Sequence, residues 1–230
     1  MSMITAGRRL REDGEPVPGT GFETDENGPI AEKLRERVGP LVSNPVTGEW
    51  TTRLVMPEDT DGAYTVGLGI FPAGNDGPPR HFHVGYREEF EIIAGEFVFE
   101  KDGVEHHASV GDELVVEPDV EHTFRSVGDE LGATVTTVRP ASKTGEVIMS
   151  LFGMAHEGEV NEAGQPGFMQ GMVLANETAD DTVFTSPSPT VVLPLAKVVA
   201  PVARLLGHQA TYQEYLTDEF WERHVEQPTL

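Results

Sequence analysis

The sequence predicts a mainly β protein, a sandwich or barrel of short strands with a helical C-terminal extension, and three observations carry that expectation. Between Trp50 and Arg139 nine short β-type runs alternate with turn signals. The 230 residues include 25 glycines and 17 prolines, a turn-rich composition that suits closely spaced strands better than a helical bundle. Beyond Pro140 the apolar spacing changes from a strand period to the helical period of about 3.6 residues.

Residues 1–40 read as an N-terminal arm. The first thirty are polar and rich in Gly, Pro, Glu and Asp, with no start of a core, and a short helix is expected at Ala31–Val38. A β domain then fills residues 41–140. Its strands are expected at Thr51–Met56, Ala63–Phe71, His81–Tyr86, Glu88–Ala94, Glu96–Lys101, Val104–Ser109, Asp112–Glu117, His122–Val127 and Gly132–Arg139. Asp102-Gly103 separates two of these runs and predicts a tight hairpin, because such a turn needs positive φ. Residues 141–230 form a helical extension packed on the barrel or on a second subunit, with helices expected at Gly145–His156 and Phe168–Ala179 on either side of a Gly/Pro break at Gly164–Gly167. Pro187–Gly207 is the most apolar segment. Pro194, Lys197, Pro201 and Arg204 interrupt it, which argues for burial against protein rather than for a membrane span. Tyr212–His224 reads as a closing helix with Tyr215, Phe220 and Trp221 available to dock.

Charge excludes several functions. Sixteen basic residues against 39 acidic ones leave a formal net charge of −23, with four lysines and no basic run longer than Arg8-Arg9. Nucleic-acid binding and attachment to anionic membranes both need cationic patches, so neither is expected. Acid excess of this kind fits a halophilic protein, since a Debye length of about 3 Å at 1 M salt screens the self-repulsion. The chain has no cysteine, which rules out disulfides, thiolate catalysis, zinc ribbons and iron–sulfur clusters and leaves histidine and carboxylate as metal ligands. Met1 to Pro18 lacks the apolar stretch of a secretory signal, so a cytoplasmic location is expected.

The chemically informative block is GNDGPPRHFHVGYREEFEIIAG, residues 74–95. His81 and His83 are two apart, so on a strand both imidazoles project to one side with Phe82 on the other. Glu88 follows five residues after His83, far enough for the chain to bend and return a carboxylate to the same point. The block GDELVVEPDVEHTFRS, residues 111–126, adds His122. Three imidazoles and one carboxylate would hold a single divalent transition metal, Fe, Mn, Ni, Cu or Zn. Glu89 lies on the opposite strand face and is expected to be solvated, as are His106 and His107.

In these residues the chain resembles the cupin superfamily. His81, His83, Glu88 and Gly95 keep every spacing of its first motif after the opening glycine, where Asn75 stands between Gly74 and Gly77. Gly111 and His122 keep register with the second motif, while Glu117, Asp119 and Ser126 depart from its proline, glycine and asparagine. Asp119 is tolerable there because Asp visits left-handed backbone conformations more readily than most residues. The resemblance covers about residues 45–140. It implies a double-stranded β-helix, or jelly-roll barrel, with the metal facing inward.

If Glu88 and His122 point inward, alternation turns Phe90, Ile92, Phe124 and Ser126 inward too, an apolar chamber with one polar corner for a small organic substrate. Tyr86 and Arg80 flank the ligands, as a proton donor or acceptor and a carboxylate clamp at the mouth; Arg125 points away. With a redox-active ion, the resemblance to cupin dioxygenases of the quercetinase type implies chelation of an enol or hydroxy-ketone and reaction with oxygen, with Glu88 as base. With a redox-silent ion the same geometry would serve isomerase, lyase or hydrolase chemistry. A third reading is a non-catalytic pocket for a small ligand. A homodimer is expected, because Phe97, Val98 and Phe99 put apolar groups on both faces of one strand and the Val191–Leu206 stretch offers cover.

Overall fold

All nine expected runs become strands in the computed structural model, which describes residues 2–230. In chain order the elements are β1 (Met3–Ala6), β2 (Phe22–Asp25), α1 (Pro29–Arg35), β3 (Val42–Asn44), β4 (Glu49–Val55), β5 (Thr65–Phe71), β6 (His81–His83), β7 (Arg87–Ala94), β8 (Glu96–Lys101), β9 (Val104–Ser109), β10 (Glu113–Val116), β11 (His122–Val127), β12 (Gly132–Arg139), α2 (Thr144–His156), α3 (Phe168–Glu177), β13 (Thr182–Phe184), α4 (Pro189–Leu205) and α5 (Asp218–His224). Two antiparallel sheets, ordered β10-β7-β12-β5-β4-β3 and β13-β6-β11-β8-β9, make a jelly-roll sandwich. The β8–β9 hairpin turns at Asp102 and Gly103, both with positive φ (48° and 77°), as a two-residue turn between right-twisted strands requires.

The space between the sheets is filled by aromatic side chains. Phe71, Phe90, Phe97, Phe99 and Phe124 come from β5, β7, β8 and β11, and neighbouring ring centroids lie 5.0 to 6.2 Å apart in tilted and edge-on arrangements. Ile92, Ala108 and Val116 complete the buried part of the cluster.

A second core lies on the outer face of the six-stranded sheet, and here the structure corrects the sequence. The N-terminal residues do contribute to a core: Ala6, Phe22, Ile30 and Leu34 are buried against Trp50, Leu54, Leu68, Ile70 and Ile93. β1 pairs with β2, and the Trp50 indole donates to the Gly7 carbonyl at 2.8 Å. The few apolar residues before Leu41 are spread too thinly to show a periodicity, yet each of these four fills a place on the sheet.

The helical extension docks on the barrel through β3. Val42 packs with Met149, Phe152 and Met154 of α2 and with Tyr215, Phe220, Trp221 and Val225. The expected closing helix is in fact a single 3-10 turn, Gln213–Leu216, followed by α5, because extended Thr217 interrupts it and caps the second piece by accepting from the Phe220 amide. The Pro187–Gly207 segment contains α4, which packs on α3 rather than on the barrel. Among the described residues no helix is long and apolar enough to cross a membrane.

Val98 faces away from the barrel interior and is only 1% exposed, but its cover comes from its own chain. It lies between Arg125 of β11 and His107 of β9, and Arg125 reaches over β8 to Glu105 at 3.0 Å. The Phe97–Phe99 strand therefore needs no second subunit to bury it.

Candidate metal centre

β6 sits between β13 and β11, so its alternation sends His81 and His83 into the barrel, and the His122↔His81 register places the third imidazole beside them. Glu88 reaches the same point from β7 in the facing sheet. All four residues are buried, and one ligand atom from each lies within 4.8 Å of all the others. The imidazole centroids are 4.3 Å (His81–His122), 4.8 Å (His81–His83) and 5.0 Å (His83–His122) apart.

The hydrogen bonds around the rings decide which nitrogens face inward. His81 Nδ1 lies 2.8 Å from the Pro79 carbonyl and His122 Nδ1 lies 3.0 Å from the Val120 carbonyl. A carbonyl only accepts, so both Nδ1 atoms carry the proton. His83 Nδ1 meets the Thr182 hydroxyl at 3.1 Å, and that hydroxyl gives its own proton to Asp181 Oδ1 at 2.9 Å. It therefore accepts from His83. Each ring consequently keeps its Nε2 lone pair for the interior, the arrangement that outer partners impose on metal-binding histidines.

Burial pushes the His81 imidazole down to about 4, helped by the adjacent His122 and His83 rings, so it is neutral near pH 7. Burial opposes the Glu88 charge; protonated His122 and His83 rings would outweigh it and hold the carboxyl well below the ordinary range, but with their protons on Nδ1 that role falls to a cation. Glu88 Oε2 lies 3.0 Å from His83 Nε2 and 3.1 Å from His122 Nε2. His83 Nε2 nevertheless makes no hydrogen bond and is buried without a partner among the described residues. A carboxylate facing imidazole lone pairs calls for a positive charge between them. A transition-metal ion bound through nitrogen and oxygen supplies it, so this donor set fits a metal.

The other residues singled out in the sequence take different places. Tyr86 is not at a mouth: it is buried, its ring stacks on His83 at 4.3 Å, and its hydroxyl meets Thr144 at 2.6 Å and Thr182 at 2.8 Å. Burial pushes this phenol well above its usual range, so it stays protonated at pH 7 and does not serve as a base, while its ring forms a wall against His83. Arg80 is exposed and already paired with Glu100, with Glu121 at 3.9 Å. Phe90 and Ile92 face inward but are interlocked with Phe97 and Phe99, so this part of the barrel is core rather than chamber; Phe124 is only partly buried. Ser126 accepts from the Asn75 amide at 2.9 Å and donates to the Pro72 carbonyl at 2.7 Å, which uses the expected polar corner as a structural tie. Glu89 pairs with Arg87 and Arg139 on the outer face, and His106 and His107 are exposed. Asp119 has φ 64°, the left-handed conformation expected of it, and its amide donates to the His83 carbonyl at 2.8 Å.

Sequence reasoning missed Thr182, Asp181 and Thr144. The acceptor for His83 lies 99 residues away in the extension, on a three-residue strand whose only local signal is the β-type triplet Thr182-Val183-Phe184. Thr182→Val keeps the volume and removes the acceptor, so metal affinity measured by chelator competition is expected to fall about 10- to 100-fold. Far-ultraviolet circular dichroism should be unchanged.

Residues 67–139, which include all four ligands, match the family model described as Cupin domain. No curated protein matches the chain. Among solved structures it is similar to KdgF from Halomonas sp., at 16% identity and TM-score 0.37 over 42% of this chain and 82% of that one. A predicted oxalate decarboxylase from Thermotoga maritima matches at 19% identity and TM-score 0.42, over 46% of this chain and 96% of the other. A sugar phosphate isomerase from a cupin superfamily, from Silicibacter pomeroyi, matches at 23% identity and TM-score 0.37, over 44% and 66%.

Proposed function

We propose that this chain, whose residues 67–139 form a cupin domain, is a metal-dependent enzyme of the dioxygenase type acting on a small organic substrate that chelates the bound ion. The observation that supports it is the convergence of four buried ligand atoms within 4.8 Å, with all three Nδ1 atoms tied to outside acceptors. A redox-active ion held by His81, His83, Glu88 and His122 supplies electron transfer to oxygen and a docking point for an enol or hydroxy-ketone.

The protein's own part is to hold and to exclude. Pro79, Val120 and Thr182 fix the three rings, and Tyr86 keeps the His83 ring in plane by stacking. Glu88 serves as ligand. The phenylalanine core beneath the site closes the barrel interior on that side and keeps water out. Composition further supports a cytoplasmic protein of a salt-adapted cell.

The test is elemental analysis of the purified protein followed by oxygen-electrode assays with flavonols, β-diketones and hydroxy-ketones. Stoichiometric iron, manganese, nickel or copper with substrate-dependent oxygen uptake is the expected result. A loaded protein that ignores oxygen but isomerises or cleaves a carbonyl substrate under anaerobic conditions overturns it in favour of Lewis-acid chemistry. Binding of such compounds without turnover makes the barrel a ligand receptor instead.

A further inference from the structure

Helix α4 has two contrasting faces. Ala196, Ala200 and Ala203 are fully buried, with Ala200 and Ala203 packed against Val173 and Leu174 of α3. On the opposite face Val191, Leu195, Val198, Val202 and Leu205 are between 42% and 88% exposed. Their spacing alternates four, three, four, three, the seam of a two-helix coiled coil sustained over two heptads. Leu206 widens the stripe at its C-terminal end. Small residues face the chain's own core and large ones face out, the reverse of a helix built for solvent.

The size of the stripe and the charge around it say what covers it. Six aliphatic side chains this exposed present about 600 Å² per copy, at the upper end of what monomers expose and most of the roughly 800 Å² per partner in a standard interface. Residues 182–213 contain no Asp or Glu, although the chain carries 39 in 230 residues, and the next longest acid-free stretch is less than half that length. For a chain of net charge −23 this is the surface on which two copies meet with least repulsion. The only charged groups on α4, Lys197 and Arg204, are basic and lie off the stripe, Arg204 tied to Glu177 of its own chain at 2.7 Å, so no charge on the helix enters the seam.

We propose that two copies of this chain associate through α4, the Val191–Leu205 stripe of one against that of the other, about a two-fold axis passing beside Val198. Such an isologous pair is self-complementary and closed. It is independent of the metal reading, because the stripe contains none of the four ligands.

Sedimentation velocity on the full chain tests it. Twice the chain mass is expected, with the dimer tightening from ~0.1 M to molar KCl as repulsion is screened. Val198→Glu and, separately, Leu205→Glu place carboxylates in the seam and should each weaken association roughly 100-fold with unchanged circular dichroism. Val110→Glu, at an exposed apolar site on the barrel, should leave it unaltered. The chain has no cysteine, so Val198→Cys gives a single thiol that should form an intermolecular disulfide on mild oxidation. A wild-type chain that stays single at high salt, or a dimer that survives Val198→Glu undiminished, overturns the proposal. Co-sedimentation of a monomer with phosphatidylcholine vesicles overturns it in favour of a lipid surface.

Discussion

His122→Ala is expected to leave the folded chain with less than about a tenth of its metal after dialysis and to lower turnover by at least ~10³-fold, because a four-ligand set becomes a three-ligand set open to water. His122 is fully buried between His81 and Glu88, and its ring orientation is fixed by the Val120 carbonyl, so no neighbour can take its place. Elemental analysis checks the first part, oxygen uptake the second, and a preserved circular dichroism spectrum shows that the barrel still folds. The site also carries an acid dependence. His81 titrates at about 4 in the folded, metal-free chain against 6.5 as an ordinary imidazole. At pH above 6.5 neither state is charged; below it the unfolded chain takes up a proton that the folded one refuses. Stability is thus present above 6.5 and lost as pH falls toward 4, by about 3 kcal/mol for this group. Urea unfolding of the metal-free protein at pH 7 and pH 4.5 measures it.

Gly77→Ala is expected to cost at least about 4 kcal/mol, enough to unfold many domains, because it combines strain with a backbone collision. Gly77 has φ +68°, and a Cβ there would lie 1.7 Å from the Phe124 carbonyl oxygen. That oxygen belongs to the middle of β11, two residues from His122, so relief must move either the strand or the strap that leads to His81. The strap has no slack. Asn75 exchanges hydrogen bonds with Ser126, and the Thr123 hydroxyl donates to the Pro78 carbonyl at 2.6 Å. Denaturant unfolding should show the loss, and surviving protein should bind metal weakly. Gly74→Ala is the control: its φ is also +68°, but nothing lies within 4 Å of the added carbon, so it costs only about 1 kcal/mol of backbone strain.

The barrel was legible because its strands carry two signals at once, alternation along the run and Gly or Asp at the turns. Asp102, Gly103 and Asp119 all adopt the positive φ their residue types suggested. The ligand set was legible because three of its four members fall within eight residues on two strands, where period two dictates the face. Other contacts left no periodic trace. Phe22 and Leu34 enter the core one at a time from a Gly- and Pro-rich segment, and β13 is too short for alternation to register. Side-chain direction was also easier to read than space. Phe90, Ile92 and Phe124 point inward as alternation requires, but whether inward-pointing rings leave a cavity or fill it depends on what the facing sheet supplies, here Phe97 and Phe99.

Strand β13 carries a consequence for how the protein matures. It closes the edge of β6 and brings the acceptor that fixes His83, yet it is synthesised 60 residues after His122. A nascent chain that has reached residue 140 owns every donor atom but has an open three-residue edge strand and one imidazole free to choose its tautomer. An ion held there would reach its final geometry only once residues 182–184 are in place, so the smallest fragment expected to retain it as the whole protein does extends well past the stretch in which the four donors are written.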